Sequence, residues 1–429
     1  MYSKSNQPFE VIVSHPARQG VIYQVPLAIQ RQGIPVKFLT GLYYKPEQFP
    51  YSLVKFLPEY KRDSVLYQLE KRRMPGLNPE SVISLGGPWL EMAFRPLSFY
   101  RGWLVMHDWL ASRWVYRFPL PPKQVLLHCF DGSARYTMRA AKQRGIMTVH
   151  EITLPAIAAD LFEEERKRLG FTENKRRIWW GSKIWMTRLV EEYRAADFLV
   201  AQSRLTVDYL LQMGIPPSQI ILLPLGVDTG RFSPASAKNI DRPFRALFVG
   251  QLGIRKGLHH LLEAWQQLDL PNAELLLAGS VDKHQFGDKV LGKYRGAYRW
   301  LGFVEAQLPK VYQDSAIFIL PSLAEGAALV MHEAMASGLP CIVSTNVGCT
   351  LRDGVEGFVI PIGDVKALED RILRLYAEPK LRQTMGMAAR ARAEQLTWQE
   401  YGRRLALMYQ MILSDERRSA ADILDMTDR

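Results

Sequence analysis

Two glutamates eight positions apart, Glu325 and Glu333, carry the most specific chemical signal in the chain. They lie in EGAALVMHEAMASGLP, Glu325 to Pro340, where Glu325 falls in a loop after an apolar run and Glu333 inside the next helical pattern. Gly326 permits close approach of backbone and ligand, and Gly338 followed by Pro340 is a helix stop. A cleft carboxylate accepts hydrogen bonds from neutral hydroxyls, so the pair suits a ligand with two sets of them, a sugar at one glutamate and a ribose at the other. Surface charge is the plainer alternative for the pair taken alone. A second stretch, GQLGIRKG from Gly250 to Gly257, places glycines, Arg255 and Lys256 between an apolar run and the helical pattern LHHLLEAW. Backbone amides and the helix dipole favour an anion such as a diphosphate there, and the two cations add charge-assisted hydrogen bonds. Neither GxGxxG nor GxxxxGK[ST] occurs at this turn, which lowers the dinucleotide and P-loop readings.

These residues need a scaffold, and the apolar patterning supplies one. Short runs such as FEVIVS, VKFLT, VLLHCF, MTVHEI, FLVAQS and IILLPLG alternate with helix-length segments, as do FRALFVG, ELLLAG, YRWLGFV, AIFILPS, CIVST and GFVIPI further on. Such alternation predicts α/β architecture with parallel sheets covered on both faces. The segment SPASAKNIDRP, Ser233 to Pro243, interrupts it as a linker would. The expected organisation is two Rossmann-like, doubly wound domains facing across a cleft: residues 1–235, residues 243–397, and residues 398–429 as a returning helix with a polar tail. No strand is expected after Val365. Ligands of such sheets bind outside the carboxyl ends of the strands.

At 429 residues and 48% apolar composition the chain is too long for one ordinary core and too apolar for disorder. Cys129, Cys341 and Cys349 form no disulfide framework and no zinc motif, which suits buried thiols in a reducing compartment. The polar N-terminus and the lack of an ~18-residue apolar run predict neither secretion nor a spanning helix. The expected location is the cytoplasm, in association with the inner face of the membrane. The formal charge of +12 sits in the first half: residues 1–240 hold 32 Lys and Arg against 20 Asp and Glu, and the remainder holds 23 of each. An anionic partner for the first domain follows, with a solvated basic face as the alternative. Two stretches there mix aromatics with cations, Phe99 to Phe118 and Lys175 to Arg188. Either the tryptophans lie in a membrane interface or they pack in the core beneath covering cations. Nucleic acid is not expected, since no RRM, KH or helix-turn-helix signature accompanies them.

The pattern E-x7-E inside this setting resembles the retaining glycosyltransferases of family 4, which have the GT-B fold. The resemblance extends through FVGQLGIRKGLHHLLEAW, RDGVEGFVIPIGD and LPLGVDTGRF, and covers most of residues 195 to 412. It implies that Glu333 holds the ribose hydroxyls of the nucleotide, that Glu325 contacts donor-sugar hydroxyls beside the anomeric carbon, and that Lys256 neutralises the diphosphate. Gly250, Gln251, Gly253 and Arg255 would complete the phosphate turn. Family members carry arginine where this chain has Gln251, so Arg255 is expected to compensate. Backbone at Gly302, Phe303 and Val304 would edge the nucleobase, and the segment Gly326, Ala327, Ala328 and Leu329 would meet sugar or phosphate. In the first domain, Gly20 of HPARQG stands for the family's acceptor-side glycine loop, and His150 for its sugar-binding histidine, with His128 as the competing candidate. The expected reaction is retaining transfer of a hexosyl group from a nucleotide-diphosphate sugar to a carbohydrate or lipid-linked acceptor. No cofactor is expected and, in the absence of any Asp-x-Asp, no metal in the transfer step. A nucleotide-sugar epimerase of the same fold and an idle sugar-nucleotide-binding scaffold are the alternatives.

Overall fold

The computed structural model describes residues 9–16, 20–85, 100–119, 121, 124–171, 183–235, 243–281, 290–347, 350–414 and 424–426. Cys349, residues 17–19 of the His15 loop, the linker core 236–242, and residues 99 and 175–182 of the aromatic stretches lie outside them.

The first half alternates strand and helix. Its strands are β1 (Glu10–Ser14), β2 (Val36–Thr40), β3 (Val82–Ser84), β4 (Val125–Phe130), β5 (Met147–Ile152), β6 (Phe198–Ala201) and β7 (Ile220–Leu222). Between them run α1 (Val21–Arg31), α2 (Glu59–Glu70), α3 (Tyr100–Tyr116), α4 (Arg135–Gln143), α5 (Ala158–Arg168), α6 (Lys183–Ala195) and α7 (Arg204–Gln212). The second half repeats the scheme with β8 (Phe244–Val249), α8 (Leu258–Leu268), β9 (Ala273–Ala278), β10 (Arg299–Gly302), α9 (Leu308–Gln313), β11 (Ile317–Leu320), α10 (Leu329–Ala336), β12 (Cys341–Ser344) and β13 (Gly357–Ile360). Three helices follow, α11 (Val365–Ala377), α12 (Pro379–Glu394) and α13 (Trp398–Leu413), and then a two-residue strand, β14 (Leu424–Asp425).

The strands form two parallel sheets, ordered β14-β7-β6-β5-β4-β1-β2-β3 and β10-β9-β8-β11-β12-β13. Both follow the doubly wound order in which the chain reverses direction beside the first strand of the unit. The reversals fall between β1 and β4 in one sheet and between β8 and β11 in the other, so the loops leaving those four strands face any bound ligand. The central strands are buried on both faces, as in β4, where all six residues are covered, while the edge strand β10 is largely open. Continuous apolar runs rather than alternating ones are the consequence.

Helix α13 returns to the first domain and packs on α1, with Gly402 set close to Ala28 and Gln32. Its Tyr409 hydroxyl lies 2.7 Å from His128 Nδ1, while His128 Nε2 lies 2.9 Å from Glu151, which also takes Gln202. His128 is thus a fully buried core histidine that ties the last helix to the first sheet. The expectation of no strand after Val365 is corrected by β14, which pairs in parallel with β7 and buries Met426 completely. Two residues are too few to show any periodicity in the sequence.

The described part of the two tryptophan-rich stretches divides between core and surface, with Trp109 and Tyr116 exposed. Trp103 and Trp185 are buried, and the Arg101 guanidinium lies over the Trp185 ring at 4.7 Å. Leu104, Ala111, Val115, Trp185, Leu189 and Tyr193 belong to one hydrophobic cluster. Beneath it, Arg188 bridges Asp108 and Glu192, and those carboxylates accept backbone amides of Gly132, Ala134, Tyr136 and Thr137 around the start of α4. Arg188 therefore holds the two carboxylates that organise a helix N-terminus, where negative charge is favoured.

Candidate functional site

The cluster around Glu325 forms where β8 and β11 diverge. After β8 the chain passes Gly250 and Gln251 and makes a tight turn at Ile254–Lys256. Gly257 ends that turn with φ 64°, and a Cβ there would stand 1.9 Å from the carbonyl oxygen of Pro321. Only glycine allows this approach, which brings the turn against the loop after β11. The Leu323 amide donates to Arg255 O at 2.9 Å, and Arg255 Nη1 donates to Ala324 O and to Glu325 Oε1, both at 3.0 Å. Lys256 Nζ reaches the same oxygen of Glu325 at 2.7 Å.

Glu325 is 5% exposed. Burial alone would push its carboxyl up, but Lys256 and Arg255 outweigh that effect and hold it below the usual range. Burial in turn draws the Lys256 ammonium down, against the opposing pull of Glu325. Gln251 is exposed, Gly253 is extended with φ −169°, and the side chain of Lys256 folds back over Gly250. The sequence-predicted residues Gly250, Arg255, Lys256 and Glu325 are therefore one contiguous group, with Gln251 and Gly253 in the same turn.

Glu333 lies within α10, two turns beyond Glu325, and Tyr312 of α9 donates its hydroxyl to Glu333 Oε2 at 3.0 Å. Burial raises the Glu333 carboxyl to about 7, partly offset by the Tyr312 bond and by Arg231. Arg231, from the loop after β7, also donates to the carbonyl oxygen of Glu305 at 2.9 Å. That contact places it beside the segment Gly302, Phe303 and Val304. Gly302 has φ 72°, Phe303 is largely exposed, and the Lys71 ammonium approaches the Phe303 ring to 5.9 Å from across the domains.

The first sheet contributes a polar group at its own point of reversal. His150, at the end of β5, is fully buried, and its Nε2 lies 3.2 Å from Asp131 Oδ1 just after β4. The other oxygen of Asp131 accepts from the Thr153 amide at 2.8 Å and from its hydroxyl at 3.0 Å. Thr153 is also where the domains touch: a Cβ on Gly326 would stand 1.7 Å from the Thr153 carbonyl oxygen. The close approach expected of Gly326 toward a ligand is here an approach to the opposite domain. Ala327 and Leu329 pack against the first domain's core cluster, and Ala328 caps the start of α10. Gly20, at the start of α1 with φ 153°, faces open space. His15 stands beside Asp131 and is drawn down to about 4 by burial, and Ser14 Oγ lies 3.3 Å from His107 Nε2.

Sequence reasoning missed Asp131, Arg231 and Tyr312. Asp131 carried a usable signal, an acidic residue directly after a buried strand, whereas Tyr312 and Arg231 meet Glu333 only through the fold.

Two buried half-sites at the carboxyl ends of facing doubly wound sheets, one with a cation-bound glutamate and a second glutamate a helix further on, define a two-domain α/β enzyme of the GT-B type. Residues 21–231 match the family model described as Glycosyltransferase Family 4, and residues 243–378 match Glycosyl transferases group 1. The chain belongs to the family 4 glycosyltransferases. It is 29% identical over 287 residues to the amylovoran biosynthesis glycosyltransferase AmsK of Erwinia amylovora, covering 57% of this chain and 70% of that protein. It is 27% identical over 247 residues to the MMP alpha-(1→4)-mannosyltransferase of Mycolicibacterium hassiacum, covering 56% of this chain and 59% of that one. The match thus spans less than two thirds of the latter relative's length.

Among solved structures, sucrose-phosphate synthase from Thermosynechococcus elongatus superposes with a TM-score of 0.68 at 19% identity, over 95% of this chain and 99% of that one. Anabaena HepE in complex with UDP and glucose superposes with a TM-score of 0.60 at 15% identity, over 94% and 99%. The relatives named are glycosyltransferases, and the epimerase alternative gains no support from them.

Proposed function

We propose that this protein is a retaining glycosyltransferase that moves a sugar from a nucleoside-diphosphate sugar to a hydroxyl of a carbohydrate or lipid-linked acceptor, with no metal ion in the transfer step. The observation that carries this reading is the joint hold of Lys256 and Arg255 on Glu325 at the point where β8 and β11 diverge. A diphosphate entering there competes with Glu325 for both cations. Lys256 and Arg255 then stabilise the charge that develops on the departing group, and the released carboxylate accepts the sugar hydroxyls. Glu333 takes the ribose hydroxyls, and backbone at Gly302 to Val304 edges the base. His150, oriented by Asp131, hydrogen-bonds the sugar from the first domain.

In the transfer the bond from the anomeric carbon to the phosphate oxygen breaks as that to the acceptor oxygen forms on the same face. The acceptor proton passes to the leaving phosphate, with no protein nucleophile. A sugar trapped covalently on Glu325 would sink this mechanism. The UDP bound by Anabaena HepE and the polysaccharide named for AmsK support the donor and product classes.

Thermal shifts with UDP, GDP, ADP and their sugar conjugates in EDTA test the donor site on wild type, Lys256→Met and Glu333→Gln. One nucleotide should stabilise wild type by ~2.7 kcal/mol at 100 times its Kd, and Lys256→Met should lose that gain. No shift with any nucleotide, in EDTA or in magnesium, favours the idle scaffold.

Among the described residues no helix is long and apolar enough to cross a membrane. Contact with an anionic leaflet from the cytoplasmic side is supported by a different surface from the tryptophan stretches. Phe49, Leu53, Phe56 and Tyr60 are exposed around the turn Tyr51–Phe56 and the start of α2, with Lys55 over Phe56 and Lys61 over Tyr60. Exposed aromatic rings with cations over them suit the headgroup region. Sedimentation with phosphatidylglycerol vesicles at low salt, lost in Phe56→Ser with Tyr60→Ser, checks it; equal binding by the double variant removes this face.

A further inference from the structure

Away from the donor crevice, α5 of the first domain meets α8 of the second through a buried polar cluster. Glu165 Oε1 stands 2.7 Å from His259 Nε2 and 3.2 Å from His260 Nε2, and the ligand atoms of all three residues lie within 4.8 Å of one another. The two imidazoles are 5% and 4% exposed and the carboxylate 12%. Arg168 supplies the positive charge: its Nη2 lies 2.6 Å from Glu165 Oε1 and 3.0 Å from His260 Nε2. Unlike its partners, Arg168 is a mostly exposed side chain at the end of α5, so it can swing into solvent when displaced, at the cost of its bidentate hold on Glu165. A cavity of about 290 Å³ opens beside it, lined by Arg168, His259, Glu263, Lys293 and Tyr294 among others.

We propose that Glu165, His259 and His260 form a site for one divalent transition-metal ion of the zinc, cobalt or nickel class, which binds by displacing the Arg168 guanidinium. Two imidazole nitrogens and one carboxylate oxygen are the donor set these ions favour, whereas magnesium and calcium call for more oxygen ligands. The adjoining cavity gives an entry path and room for a water in the fourth position. Glu263, one helical turn after His259 and His260, is at hand there to orient that water. One ligand comes from the first domain and two from the second, so the ion staples the domains together. Because His259 follows Lys256 by three residues, it also fixes the helix that begins at the diphosphate turn. Slower domain opening, and with it slower product release, is the expected consequence.

The untagged full-length chain, stripped with chelator, is titrated with Co²⁺ followed by its visible absorption and with Zn²⁺ followed by calorimetry. One ion per chain is expected, and Glu165→Gln and His260→Gln should each weaken binding by about tenfold or more. Arg168→Gln keeps every donor and removes the competing cation, so it should bind about tenfold more tightly by the same reasoning on charge. This variant also decides the matter if His260→Gln fails to fold. Absence of stoichiometric binding to wild type and Arg168→Gln, binding unchanged by His260→Gln, or weaker binding by Arg168→Gln each overturns the site.

Discussion

At the scale of single residues, Glu325 is buried and Glu333 half-buried, and their surroundings shift the two carboxyls in opposite directions. Glu325 is kept ionised by Lys256 and Arg255, so Glu325→Gln frees two cations for a diphosphate. Calorimetry should then show the nucleotide binding about tenfold more tightly while initial rates of transfer fall by about a hundredfold or more, the loss typical of a missing transition-state contact. Equal loss of binding and rate would assign Glu325 to phosphate positioning instead. Glu333 has few charges near it, and burial lifts it to about 7. A carboxyl raised in the folded protein stabilises it fully below the unfolded value, near 4.5, and that contribution fades as pH rises through about 7. Glu333→Gln should therefore melt level with wild type near pH 4 and higher above about pH 8, by the equivalent of roughly 3 kcal/mol at most. Sugar-nucleotide affinity should run the other way in wild type, weakening as pH falls through about 7 because the ribose hydroxyls need an ionised acceptor. A flat affinity profile would remove Glu333 from the ribose. Both glutamates, with Lys256 and Arg255, were legible in the sequence because each lies in a short local pattern. Tyr312 and Arg231 were not assigned, since Glu333 lies 21 or more positions away and only packing brings them near, whereas Asp131 was overlooked despite its place directly after a buried strand.

At the scale of elements, the strands at the sheet centres were legible because strands covered on both faces read as unbroken apolar runs. The runs were longer than the strands: FLVAQS yields a strand ending at Ala201, and IILLPLG one ending at Leu222. The residues beyond the strands are still buried although the ladder has ended: Gln202 reaches Glu151, Ser203 caps α7, and Leu223 and Leu225 pack in the core. Strands β3 and β14, of three and two residues, gave no pattern to read. The tryptophan stretches left two readings open because an aromatic beside an arginine reads alike at a membrane and over a buried ring such as Trp185. Gly326 makes an element-level test. Its missing side chain lets the loop before α10 lie on the chain at Thr153, so Gly326→Ala must push the two apart. The expected result is a fall in kcat of at least about tenfold, as reacting groups move by about an ångström, with nucleotide binding to the second domain little changed. A variant with unaltered kcat would show that this contact is dispensable for transfer.

At the scale of the whole molecule, two like units face each other, and each contributes its group at the point where its sheet reverses. This much followed from the repeated strand-helix alternation, whereas the polar bridge of Glu165 with His259 and His260 did not, because nothing in either helix alone marks the other as its partner. The units differ in how the chain completes them. Helix α13 covers α1, Tyr409 reaches His128, and β14 extends the first sheet, all from residues that follow the entire second domain. During synthesis the first domain therefore leaves the ribosome with an uncovered apolar flank and a buried-histidine network still lacking its tyrosine. It acquires them only after the second domain has emerged. The second domain needs no such later segment for its sheet, so the order of maturation runs against the order of translation.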